Sequence, residues 1–186
     1  MKDMIKLRKF EAADISRLLG WIPDARFLLQ WAGPQYKYPL DVVQLLAAIE
    51  KTMGKRPLHY MFAAFHQMTG TVVGHIELMS VDYEKKTALL GRILIGPTEV
   101  RGKGWGTAMV AEVLKFGFNI LGLTEINLGV FDFNQPAINC YKKLGFTEYE
   151  FCENARQFEG QWWNLIMMKL DKKTYLKQRN KQYNDQ

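Results

Sequence analysis

Arg101-Gly102-Lys103-Gly104-Trp105-Gly106 is the stretch on which the fold turns. It follows a strand-like apolar run, Thr87 to Ile95, and a turn at Pro97, and it opens the longest helical pattern in the chain, Gly104 to Leu121. A helix N-terminus presents N–H groups without intrahelical acceptors and the positive end of the helix dipole, which together attract an anion. Glycines let a diphosphate approach that backbone closely, and Arg101 and Lys103 add positive charge beside it. Trp105 and Thr107 complete the first turn. Two rival phosphate motifs fail here. The dinucleotide fingerprint needs its glycines at other spacings, and a Walker loop ends in Gly-Lys-Ser/Thr, whereas this stretch ends in Gly106-Thr107. A tight strand-to-helix turn with no ligand is the alternative reading of the same glycines.

Working outward, the downstream neighbour is Asn134-Gln135-Pro136-Ala137-Ile138-Asn139-Cys140-Tyr141-Lys142-Lys143-Leu144-Gly145-Phe146, a helix from Gln135 to Leu144 closed by Gly145. Between the two lies a strand, Glu125 to Phe131, and beyond them strands at Phe146 to Cys152 and Gln161 to Leu170. Upstream, Leu58 to His66, Thr71 to Val81 and Thr87 to Ile95 alternate as three strands of an antiparallel meander. A first strand at Ile5 to Phe10 precedes helices at Asp14 to Ile22, Asp24 to Gln30 and Asp41 to Lys51, the last two with aspartates at the N-cap. The segment from Trp31 to Pro39 interrupts helical structure with one glycine and two prolines.

Arg-x-x-Gly-x-Gly at a helix start, followed by Asn-x-x-Ala-x-x-x-Tyr-x-x-x-Gly-Phe on the next helix, resembles the paired cofactor motifs of the GNAT superfamily of N-acetyltransferases. The resemblance is strongest over Leu89 to Phe146. It implies an α/β (α+β) fold: a mixed, mostly antiparallel sheet of six to seven strands, helices on both faces, and a splayed central strand pair. It further implies that backbone amides from Arg101 to Gly106 bind the pyrophosphate of acetyl-coenzyme A, the expected co-substrate. Asn134 would bond the pantetheine arm, Tyr141 would approach the thioester sulfur, and backbone groups of Ile93, Leu94 and Ile95 would orient the thioester.

The chemistry suits those residue types. Attack of a neutral amine on a thioester builds negative charge on oxygen, which a fixed N–H stabilises. A phenol such as Tyr141, of pKa about 10, can protonate the departing thiolate, whose acid has pKa about 8.5. A core tyrosine packed under the sheet is the structural alternative. No cysteine stands where the motif puts the thioester, so direct transfer in a ternary complex is expected.

An aliphatic ammonium of pKa about 10.4 must lose a proton before it attacks, whereas an α-amine near 8 needs little help. Glu77 is the candidate base, with His75 on the same sheet face and Asp82 and Glu84 at the strand's end. A surface pairing of Glu77 with a cation such as Arg92 is its alternative. Trp31 and Tyr36, with Tyr38 and Trp21, are candidates for the acceptor pocket by dispersion and cation–π attraction, or else pack helices onto the sheet. Trp162 and Trp163 face opposite sides of the last strand and carry the same ambiguity.

Composition sets the outer limits. With 186 residues, 48% of them apolar, the chain suits one acetyltransferase domain over 1–170 and a basic polar tail over 171–186, either frayed helix or disordered. The tail holds half of the +6 net charge, so nucleic-acid binding has little support. Nothing approaches a membrane span, no signal-peptide run is present, and two separated cysteines form no metal pattern. A cytoplasmic enzyme is expected, without metal or membrane partner, acetylating a small-molecule amine or a protein N-terminus. A homodimer through the late strands and a non-catalytic acyl-coenzyme A sensor are the open alternatives.

Overall fold

The computed structural model describes residues 4–184. Its sheet has seven strands in the order β1-β2-β3-β4-β5-β7-β6. The strands are β1 (Ile5–Lys9), β2 (Tyr60–His66), β3 (Val72–Asp82), β4 (Thr87–Ile95), β5 (Glu125–Phe131), β6 (Thr147–Phe158) and β7 (Gln161–Asp171). The helices are α1 (Ile15–Leu19), α2 (Ala25–Ala32), α3 (Val42–Glu50), α4 (Trp105–Lys115), α5 (Gln135–Lys143) and α6 (Lys172–Asn184). The chain gathers into two compact units, one running to Val81 and including Leu90–Val113, the other made of Asp82–Leu89 and the chain from Leu114 onward.

In the first unit β1, β2 and β3 run antiparallel, with Met61 opposite Glu77 and Ala63 opposite His75. Directly opposed residues project to one face, so Met61, Ala63, His75 and Glu77 share it. Met61 and Ala63 belong to a buried cluster with Phe10, Leu18, Leu28, Trp31, Leu45 and Leu94, which brings α1, α2 and α3 onto that face. Asp24 Oδ1 caps α2 by accepting from the Phe27 amide at 2.7 Å, and Asp41 Oδ1 caps α3 by accepting from Gln44 at 2.9 Å. Asp14, buried before α1, accepts from Arg8 at 2.7 Å and Arg17 at 2.9 Å. Burial opposes ionisation of that carboxyl, but Arg8 and its other donors outweigh burial and lower its pKa. On the opposite face Gly74 allows close packing, since a Cβ there would lie 2.6 Å from the Leu94 carbonyl oxygen.

The second unit is built on β5, β7 and β6. β5 and β7 pair antiparallel from Glu125↔Asp171 to Phe131↔Leu165. The parallel register of β4 with β5 spans only Thr87↔Glu125, Ala88↔Ile126 and Leu89↔Asn127. That ladder stops where the expected splay begins. Phe131 and Trp163 pack edge to face at 5.1 Å, and Tyr141 meets Phe146 at 5.9 Å.

Two expectations are corrected, and one of the two alternatives for the tail is selected. The helix anticipated as continuous to Leu121 is α-helical to Lys115 and then makes a π turn over Phe116–Ile120, where Leu121 N–H reaches back to the Phe116 carbonyl. The strand anticipated to end at Cys152 continues to Phe158, paired with β7 through irregular register. The polar tail forms α6: Asp171 caps it through Thr174, Tyr175 stacks on Phe118 at 4.7 Å, and Lys172 Nζ donates to the Phe118 carbonyl at 2.9 Å. Asp185 and Gln186 lie outside the described residues.

Candidate active site

The glycine stretch occupies the turn between β4 and α4. Gly102 and Gly104 adopt φ of +75° and +81°, a left-handed backbone that other residues enter at a cost. An added Cβ at either would meet open space, so the requirement is conformational. The Gly104 carbonyl accepts from the Ala108 amide at 3.1 Å, which starts α4 there and sets Trp105 and Gly106 in its first turn. The Trp105 ring stacks on His66 at 5.3 Å.

The Arg101 side chain is held by the end of β4. Its Nε donates to the Ile95 carbonyl at 3.0 Å and its Nη2 to that of Gly96 at 3.1 Å, while its own amide donates to Thr98. This pins the turn against the end of β4. The cationic side chain beside the glycines that takes no part in this pinning is Lys103.

Immediately upstream, β4 contains Arg92, whose φ is +50°. Left-handed backbone is uncommon inside a strand for a residue with a side chain. Ile93, Leu94 and Ile95 follow it directly and complete β4.

Arg92 also joins a buried polar and aromatic cluster in the first unit. Its Nη1 donates to Glu77 Oε2 at 2.8 Å and lies 3.0 Å from the Tyr36 hydroxyl, with the guanidinium 4.4 Å above the Tyr36 ring. Tyr36 stacks on Trp31 at 6.3 Å, and Trp31 meets the His75 ring edge to face at 5.7 Å. Trp31 and Tyr36 therefore stand together at this cluster, while Tyr38 is exposed and the Trp21 ring lies where a Cβ on Gly96 would fall.

Glu77 has no exposed surface and accepts from three sides: His59 at 2.6 Å, His75 at 2.8 Å and Arg92. Burial alone would push its carboxyl up, but the hydrogen bonds from His59 and His75 and the charge of Arg92 hold it well below the usual carboxylate range. A carboxylate so strongly stabilised is a poor proton acceptor, which argues against Glu77 as the direct base. The expected surface pairing with Arg92 is a buried one. Burial, reinforced by the Glu77 charge, raises the Tyr36 phenol, so it stays protonated near neutrality.

Asn134 and Tyr141 belong to the second unit. Asn134 is the N-cap of α5, its Oδ1 accepting from Ala137 at 3.4 Å, which leaves its amide group as the donor end. Tyr141 is buried, and burial raises its phenol, which stays protonated at neutral pH. Trp163 is buried and Trp162 exposed, as their alternation implies.

Sequence reasoning passed over His59. It lies just ahead of β2, and only the Met61↔Glu77 register shows that residues 59 and 77 come to one face. Among the described residues no group of His, Cys, Asp and Glu is arranged to hold a metal, and no helix is long and apolar enough to cross a membrane.

A glycine-lined turn at a helix start, a strand leading into it and a buried proton-handling cluster are the parts an acyltransferase of this architecture needs. The model of the acetyltransferase (GNAT) family matches residues 25–146, and the chain belongs to that family. It is 31% identical over 172 residues to spermidine N(1)-acetyltransferase of Escherichia coli K12, covering 92% of this chain and 88% of that protein. Aminoglycoside N(6′)-acetyltransferase type 1 of Klebsiella pneumoniae is 25% identical over 150 residues, 77% of this chain and 74% of that one. The fold matches the crystal structure of spermidine N-acetyltransferase from Vibrio cholerae in complex with CoA and spermine, with TM-score 0.81 and 21% identity over 93% and 98% of the two chains. The activity of this chain is acetyl-coenzyme A-dependent N-acetylation of an amine.

Proposed function

We propose that the acceptor is a primary amine of a small aliphatic polycation, of the polyamine class. The observation that carries this reading is the buried cluster of Glu77 with His59, His75 and Arg92. A polyamine nitrogen arrives protonated, so its acetylation needs a proton-accepting group next to the thioester, whereas an α-amine needs little. Two relatives with extensive coverage carry names for polycationic small-molecule acceptors, which supports the same class.

In this proposal the amides of Gly102, Lys103, Gly104, Trp105, Gly106 and Thr107 hold the pyrophosphate of acetyl-coenzyme A, with Lys103 supplying charge and Arg101 fixing the turn. Backbone groups of Ile93 to Ile95 orient the thioester, and the Asn134 amide bonds the pantetheine arm. Trp31 and Tyr36 wall the acceptor site, Glu77 anchors the cluster, and Tyr141 protonates the departing thiolate. The amine attacks the thioester carbon, the C–N bond forms as the C–S bond breaks, and free coenzyme A leaves as thiol.

The test is free-thiol release with acetyl-coenzyme A over spermidine, spermine, an aminoglycoside and an N-terminal peptide. Turnover of the polyamines at the highest kcat/KM is expected. Preference for the peptide would overturn the acceptor class.

A further inference from the structure

We propose that His59 takes the proton from the acceptor ammonium, with Glu77 as the residue that orients it. This deepens the reading above and rests on the acceptor being a primary aliphatic amine.

The assignment begins with the hydrogen bond of 2.6 Å between His59 Nε2 and Glu77 Oε2. An ionised carboxylate only accepts, so Nε2 carries the hydrogen and donates it. In the neutral ring this is the Nε2–H tautomer, whose lone pair on Nδ1 is the proton-accepting site.

The other groups on the same carboxylate are unsuited to the task. Arg92 does not give up its proton. Glu77 is 0% exposed and His75 1%, and the Glu77 oxygens already accept from three side chains. The His59 side chain is 12% exposed, the most open of the groups bonded to Glu77. The charged and titratable groups around it are Glu77 and His75 from β3, Arg92 from β4, and Tyr36 beyond α2. Arg92 neutralises Glu77, so the cluster can hold a transient imidazolium without an uncompensated carboxylate once the proton has moved on.

The step balances as follows. The ammonium gives one proton to His59 Nδ1, and the neutral amine attacks the thioester. The nitrogen of the tetrahedral adduct loses its second proton to the departing sulfur, directly or through Tyr141, as the C–S bond breaks. The amide and the thiol are released, and His59 returns its proton to solvent.

The experiment uses His59→Gln in the full chain with spermidine, measuring kcat/KM between pH 6 and 10. The amide side chain can still donate to Glu77 but cannot take a proton. A loss of about 100-fold near pH 7 is expected, closing as the pH nears the amine pKa of about 10.4, with KM for acetyl-coenzyme A unmoved. An equal fractional loss at every pH, or no loss, overturns the proposal. If His59→Gln does not fold, judged by circular dichroism and melting, His59→Asn takes its place.

An independent readout needs no acceptor. In 15N-histidine spectra of the wild-type protein, His59 is expected as the Nε2–H tautomer, and the Nδ1–H tautomer would refute the assignment. If the wild type leaves spermidine untouched, the acceptor reading fails separately, and the pH comparison is run on whichever amine the panel identifies.

Discussion

Arg92 meets Glu77 at 2.8 Å from a backbone turned to φ +50°, so the left-handed residue of β4 is also the counter-ion of the buried carboxylate. The backbone conformation of β4 and the charge balance of the buried cluster are thereby tied to one position.

Glu77→Gln is expected to destabilise the protein by about 3 kcal/mol, because it leaves the buried Arg92 charge without its partner. The folded Glu77 carboxyl binds its proton more weakly than the unfolded one, whose pKa is about 4.3. Its contribution is therefore fully present above that unfolded value and declines as the pH falls below about 5. Urea melts of wild type and variant between pH 3 and 7 should converge toward the acid end. A difference independent of pH would show that Glu77 is not the linked group.

Gly104→Glu should abolish stabilisation by acetyl-coenzyme A. At φ +81° the new residue is strained, by about 1 kcal/mol, and it adds negative charge where the pyrophosphate is proposed to lie. The unliganded variant should fold, since a Cβ there meets nothing within 4 Å. Thermal melts with and without the co-substrate check this, and a full shift in the variant would move the site elsewhere.

Tyr141→Phe keeps the ring against Phe146 and removes the phenol proton. An acid acting on the leaving thiolate contributes about 100-fold, so kcat should fall by that order while acetyl-coenzyme A affinity stays within about twofold. Steady-state kinetics with calorimetric binding separates the two. Unchanged turnover would make Tyr141 a packing residue.

Tyr175→Ala should cost about 3 kcal/mol through loss of its buried stack on Phe118, detected as a lower melting temperature. Ending the chain at Asp171 should cost at least as much. A truncated protein as stable as the parent would mean that α6 contributes nothing.

These last two variants mark where the sequence was legible and where it was not. Asp24 and Asp41 announced their helices because capping is local chemistry, and Gly102 and Gly104 announced their turn for the same reason. The period of two in β2, β3 and β4 was equally plain. The tail left helix and disorder both open because α6 is mostly polar and is held by a few contacts, Tyr175 and Lys172 among them, that only the fold brings together. The end of β6 was missed because its run from Glu153 to Gln157 is polar, and its pairing follows β7 and not its own hydrophobic pattern.

The proposed acceptor side shows the same division. Glu77, Trp31 and Tyr36 were found from residue type and strand alternation, yet the burial of Glu77 and the part played by His59 depend on the β2–β3 register. Register is a relation between segments, and no single stretch of residues near His59 encodes it. Arg92 was noted only as a possible counter-ion. Its backbone conformation has no signature in a run reading Leu-Gly-Arg-Ile-Leu.

The double duty of residue 92 bears on any attempt to change which amine is acetylated. Glycine would accept the left-handed conformation without the cation, and lysine would keep a cation without the planar fork, so neither replaces arginine. A directed-evolution library aimed at new acceptors is best drawn with position 92 held constant, and with Tyr36 varied only among rings that still lie against its guanidinium.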